Sequence, residues 1–186
     1  MNNQPSYKDK LAGPSYKTTI ESLVEDISQR PDTFPYMYRL MEDEDHIISW
    51  HAMWTCEKIS ERYPDWFDTL YDDLIKKLFS CKHSGSKRLL LSILYNLAIP
   101  TPFPVELLNF CMDRMLMPQE SIGVQALAVK MAYRLCLKEP ELLQELDIIL
   151  NNADKEFYSR GVKNAIRSVQ EKIHHMTKTK RNQPSF

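Results

Sequence analysis

The chain has 186 residues, 43% of them hydrophobic, which is enough for one ordinary domain or one short repeat array with a sizeable core. Its 24 Lys and Arg against 25 Asp and Glu leave a formal charge of −1, so the molecule as a whole lacks the strong positive charge used in non-specific nucleic-acid binding. The cysteines Cys56, Cys81, Cys111 and Cys136 are widely spaced with no C-x-x-C pair, which supplies no zinc or redox motif and predicts buried, reduced thiols.

In chain order, residues 1–17 (MNNQPSYKDKLAGPSYK) are polar, contain proline and are poor in aliphatics, so they read as a flexible N-terminal tail. No signal-peptide pattern and no run near ~18 apolar residues is present, and the expectation is a soluble, cytoplasmic protein. The folded domain is expected over 18–176. It opens with a trimmed unit, because "ISQRPDTF" at 27–34 echoes "ISERYPDWF" at 59–67, with Pro31 lying 33 residues before Pro64. The acids Glu42, Asp43, Glu44 and Asp45 with His46 have metal-ligand atoms, but they come just before a helix, where the macrodipole favours negative charge. In "DWFDTLYDDLIKKLFS" the residues Trp66, Phe67, Leu70, Tyr71, Leu74, Ile75, Leu78 and Phe79 form one apolar stripe, which predicts a helix lying on a core.

"SGSK" at 84–87 lacks the paired glycines of a phosphate loop and reads as helix-start serines. The segments "KRLLLSILYNLA" and "GVQALAVKMAYRLCL" are apolar nearly all round, as expected of helices packed on several sides. "SRGVKNAIRSVQEKI" supplies a last helix ending in His174-His175, where a cation is favoured and no third ligand sits at helical spacing. Residues 177–186 (TKTKRNQPSF) read as a flexible basic tail. Neither a metal nor a cofactor is expected, and no alternating run suggests a strand.

Sliding the chain against itself by 38 residues brings equivalent residues together. "SIGVQALAVK" at 121–130 coincides with "SRGVKNAIRS" at 159–168, and Gly85, Gly123 and Gly161 share one phase. So do Pro64, Pro102 and Pro140; Ile59, Leu97, Leu135 and Ile173; Leu70, Leu108 and Leu146; and Leu74, Met112 and Leu150. Each unit reads as a first helix, a Pro-marked turn and a second helix. The glycines should sit near the starts of first helices, and Leu70, Leu108 and Leu146 should be buried.

A helix pair of this length with proline at the turn resembles the HEAT and armadillo-like repeat proteins over about 18–176. The resemblance implies an all-α, right-handed α-solenoid of antiparallel helix pairs, about four units long, serving as a binding surface. The tetratricopeptide pattern, with its ~34-residue period, fits less well.

Charge divides between the two helix sets. The second helices carry Asp65, Asp68, Asp72 and Asp73 against Lys76 and Lys77, and Glu141, Glu145 and Asp147 with no base. The polar line of the first helices carries Lys58, Arg62, Lys130, Arg134, Lys138 and Lys172 with no acid, and Trp54 at a phase occupied elsewhere by Ser92, Lys130 and Ser168. The macrodipole alone sorts charge in this direction. A basic ridge receiving an acidic partner segment, with Trp54 as an aromatic anchor, is the functional reading. The sequence therefore reads as a non-catalytic binding or scaffolding protein for a protein partner. Two alternatives stay open: a DNA-binding protein or DNA-lesion glycosylase resembling the alkylpurine DNA glycosylases built from HEAT-like repeats, against which the acidic second helices argue, and a structural subunit of a homo-oligomer.

Overall fold

The computed structural model describes residues 7–14 and 17–181 and, within these, the side chains of all but 155 and 177–181. Every regular element among the described residues is helical. The chain divides into two compact units, Met1–Ala98 and Ile99–Phe186.

In the first unit the helices are α1 (Tyr7–Ala12), α2 (Lys17–Gln29), α3 (Phe34–Arg39), α4 (His46–Arg62), α5 (Tyr71–Ser80) and α6 (Ser84–Asn96), with 3-10 turns at Pro31–Thr33, Leu40–Glu42 and Pro64–Leu70. Helix α4 receives α1, α2, α3 and α6, so its flanks are covered from several directions. It buries Ile48, Ala52, Met53, Cys56 and Ile59 together with the polar His51, Thr55, Glu57 and Ser60. Those polar groups are satisfied, as burial requires. Thr55 Oγ1 donates to the His51 carbonyl at 2.9 Å, Ser60 Oγ to the Glu57 carbonyl at 2.7 Å, and His51 Nδ1 lies 2.7 Å from the Leu11 carbonyl. The two halves of the sequence echo meet in space: Phe34 and Phe67, the final residues of the paired motifs, pack edge to face with ring centroids 4.9 Å apart.

The second unit comprises α7 (Val105–Arg114), α8 (Ile122–Cys136), α9 (Pro140–Asn152) and α10 (Arg160–Arg181). Helix α8 packs against all three others. Accordingly it buries Val124, Ala128, Val129, Met131, Ala132, Leu135 and Cys136, and the amide of buried Gln125 donates to the Met117 carbonyl at 2.8 Å.

The 38-residue phase is set at the helix starts. First helices α4, α6, α8 and α10 begin at residues 46, 84, 122 and 160, and the preceding residues Asp45, His83, Ser121 and Ser159 each accept from a backbone amide just inside the helix. Asp45 Oδ1 takes Ile47 N–H at 2.8 Å, His83 Nδ1 takes Ser86 N–H at 3.4 Å, and Ser121 and Ser159 take Val124 and Val162 N–H at 3.4 Å. The repeated Ser-x-Gly-Val is thus a cap followed by its donor, and each cap satisfies an otherwise orphaned amide. None of the glycines has positive φ, and at Gly85 and Gly161 the missing side chain answers close approach. A Cβ on Gly85 would lie 3.0 Å from His83 Cε1 and 3.3 Å from Trp50 Nε1, and one on Gly161 would lie 3.2 Å from Ile122 Cγ2.

Several expectations are corrected. Part of the expected N-terminal tail is helix α1, whose Tyr7 and Leu11 are fully buried, while residues 1–6, 15 and 16 of it lie outside the described residues. Tyr7 Oη donates to Asp26 at 2.7 Å and lies 3.0 Å from Thr33 Oγ1. At the other end α10 continues to Arg181, and 182–186 are not among the described residues. Leu108 and Leu146 are buried but Leu70 is only half-buried, because 64–70 winds as a 3-10 helix, changing the angular step so that Phe67 takes the core position. The predicted stripe also frays: Trp66 in that segment is half-buried, and Phe79, near the end of α5 and outside its buried set Tyr71, Leu74, Ile75 and Leu78, is 42% exposed. Pro64 and Pro140 open helical segments, whereas Pro102 lies in the loop before α7, where Pro104 holds the flanking position. The helix start at 84 is capped by His83 rather than by a serine. Cys56, Cys111 and Cys136 are buried free thiols, with burial pushing Cys136 up to about 11, but Cys81 is half-buried.

Two measurements check this packing. Leu146→Ala should destabilise the protein by about 2–5 kcal/mol in chemical denaturation, whereas Leu70→Ala should cost about 1 kcal/mol or less; equal losses would contradict the 3-10 phase shift. The Arg30 guanidinium, and then the Tyr7 hydroxyl, hold the Asp26 carboxyl below its ordinary 3.8. A depressed folded-state value means stability present at neutral pH and lost as pH falls below that range. Asp26→Asn should therefore cost about 1 kcal/mol at pH 7, solvent screening included, and the cost should shrink toward pH 3.

Candidate interaction surface

The residues of the expected basic ridge lie on three first helices, except Lys138 in the turn after α8, and divide between the units. In the first unit, α4 presents Trp54, Lys58 and Arg62 at successive fourth positions, one face of a helix. Lys58 is engaged there: its Nζ lies 2.7 Å from Glu61 and 3.2 Å from Glu57. Partial burial works against the ammonium, yet the hydrogen bond to Glu61 and the charge of Glu57 outweigh it and raise the Lys58 pKa. Buried Glu57 also accepts from Ser92 Oγ at 2.9 Å, and Asn96 donates to Ser60 Oγ at 2.9 Å, so the polar lines of α4 and α6 are tied together. Arg62 is exposed with Glu25 at 3.8 Å. Trp54 is half-buried beside Trp50, at 5.9 Å between ring centroids. The acids come from neighbouring phases of the same helix, which a reading of one line alone passes over.

In the second unit, Lys130 and Lys138 are exposed and neither forms an ion pair with a described residue. Arg134, between them, is half-buried. Lys172 of α10 extends over the Tyr133 ring, with Nζ 5.7 Å from its centroid, and the Tyr133 hydroxyl reaches Met176 Sδ at 3.5 Å. An ammonium over an aromatic face is attracted by the ring quadrupole, so Lys172 is held against α8 one residue from Arg134.

The acidic residues divide differently. Asp65, Asp68 and Asp72 are exposed, but Asp73 accepts from Tyr38 Oη at 2.7 Å and pairs with Lys77 at 3.2 Å. Burial favours a neutral Asp73, and these two hydrogen bonds outweigh it and lower the pKa. The same Lys77 binds Glu42. Asp43 pairs with Lys8 at 2.8 Å, while Asp45 is the α4 cap, so three of the four acids at 42–45 serve the fold. Asp147 on α9 stands 3.6 Å from His174. No group of three or more His, Cys, Asp or Glu placed to hold a metal occurs among the described residues.

One cationic group falls outside the predicted ridge. Arg160, Lys163 and Arg167 on α10, with Asn164, line a hollow of about 420 Å³. Its signal is present in the sequence as i, i+3, i+4 and i+7 spacing, in a helix with seven Lys and Arg against one acid. Among the described residues no helix is long and apolar enough to cross a membrane.

Comparison with curated proteins and with solved structures returns no match. The HEAT repeat domain family matches residues 7–173, a span that begins at α1 and ends on buried Ile173 of α10. With paired helices, caps recurring every 38 residues and a match over most of its length, the chain belongs to the HEAT repeat domain family.

Proposed function

We propose that this HEAT-repeat protein is a non-catalytic binding protein whose second unit presents Lys130, Arg134, Lys138 and Lys172 to an acidic segment of a protein partner. Trp54, Lys58 and Arg62 form a separate and weaker face on the first unit, because Glu57 and Glu61 offset Lys58 there. HEAT repeats commonly serve as protein-interaction scaffolds, which is the general background to this reading.

The observation that carries it is the place of the cations along their helices. Macrodipole sorting acts within the last turn of a helix. Lys130 lies six residues before the end of α8, and Lys172 nine before the end of α10, so the dipole does not account for either. Lys130 and Lys138, exposed and in no ion pair with a described residue, contribute little to stability, whereas they attract and orient an anionic partner.

The test is capture of acidic proteins from a native extract by the immobilised chain and by the variant Lys130→Glu/Lys138→Glu/Lys172→Glu. Capture by the variant should fall by about tenfold or more, with the thermal midpoint nearly unchanged. Equal capture by both proteins removes this surface, and retention of duplex DNA in preference to acidic protein would move the function to nucleic acid.

A further inference from the structure

We infer that the outward face of α10 is a second, independent anion-binding surface, and that its occupant is a short acidic peptide segment held in the hollow lined by Arg160, Lys163, Asn164 and Arg167. The hollow measures about 420 Å³ and is open to solvent on one side, all four of its lining residues being exposed.

Its position follows from the helix. Val162, Ile166, Val169 and Ile173 bury one side of α10. Residues 160, 163, 164 and 167 fall on the opposite side, while Ser168 and Lys172 lie roughly a third of a turn away at 100° per residue. The hollow is therefore distinct from the ridge that ends in Lys172.

The cations there have no internal use. Arg160 and Lys163 form no ion pair with a described residue, and Arg167 Nη2 donates to Asn164 Oδ1 at 2.9 Å, which orients the guanidinium without neutralising it. Two guanidinium groups and an ammonium present planar and point donors suited to carboxylates.

Dimensions and surroundings select a peptide. From Arg160 to Arg167 the helix rises about 10.5 Å, and same-side residues of an extended segment recur every ~7 Å. Two or three carboxylates on one side of such a segment match the row. Single-stranded nucleic acid relies on aromatic stacking platforms, and no aromatic side chain lines the hollow among the described residues. The neighbouring α9 carries Glu141, Glu145 and Asp147 with no base, which opposes a long polyphosphate track but not a short segment.

The experiment is fluorescence anisotropy of the full chain with a labelled Glu/Asp-rich peptide, a labelled oligouridine of equal charge, and inorganic phosphate as competitor. The peptide should bind in a salt-sensitive manner, and Lys163→Glu/Arg167→Glu should weaken it by about tenfold or more. Lys76→Glu/Lys82→Glu, a reversal of two exposed cations of the first unit that belong to neither surface, should leave it within about twofold, which separates this site from a general effect of positive charge. Circular dichroism of each variant establishes that it folds, and Lys163→Gln/Arg167→Gln provides a neutral version of the same test. Absence of peptide binding, binding unaffected by both 163/167 variants, tighter binding of oligouridine, or full displacement by phosphate at equal concentration would each overturn the assignment.

Discussion

The constraint on which the structure depends is the burial of the first helix of each pair. A helix that is apolar nearly all round needs covering on several sides, and both units meet this need in the same way, with α4 receiving four neighbours and α8 receiving three. Ile59, Leu97, Leu135 and Ile173 occupy one phase and all are buried. The caps Asp45, His83, Ser121 and Ser159 fix where each of these helices begins, and a fixed start places the apolar positions at the same rotation every 38 residues.

Burial of this kind leaves each first helix a narrow polar line, and the two units use theirs differently. On α4 the line is turned inward on itself: Glu57 binds Lys58 and Ser92, and Ser60 binds Asn96, so the polar atoms hold two helices together. On α8 and α10 the equivalent line carries lysines that project into solvent or rest on Tyr133. In the first unit acids also hold cations, Asp43 pairing with Lys8 and Glu42 and Asp73 with Lys77. The second unit is thereby the one with cationic surface to spare, which is why the functional reading rests on it.

Much of the architecture was legible because repetition multiplies weak signals. A single Gly or Pro means little, but Gly85, Gly123 and Gly161 at the second residue of successive helices, and Pro64 and Pro140 at helix starts, locate the units. The misreadings have local causes. Helix α1 has only Tyr7 and Leu11 to mark it, and its burial depends on contacts made by Asp26, Thr33 and His51 far along the chain. Leu70 followed the repeat phase, but the 3-10 winding of 64–70 does not keep α-helical rotation. The histidine cap of α6 was hidden because serines stand beside it. On the surface, the phase argument put Lys130 and Lys172 on an exposed line, where both are exposed, but passed over Glu57 and Glu61 on one helix and Arg160, Lys163 and Arg167 on another, since it followed one line rather than the whole circumference.

Residue-resolved amide hydrogen exchange of the intact chain tests the central claim most directly, because protection reports how far each helix is covered by its neighbours. The slowest exchange should fall in the middles of α4, α6 and α8 and in the first half of α10, recurring at 38-residue intervals, with α5, α7 and α9 exchanging faster. Equal or greater protection in α5, α7 and α9, or protection without that recurrence, would contradict the account.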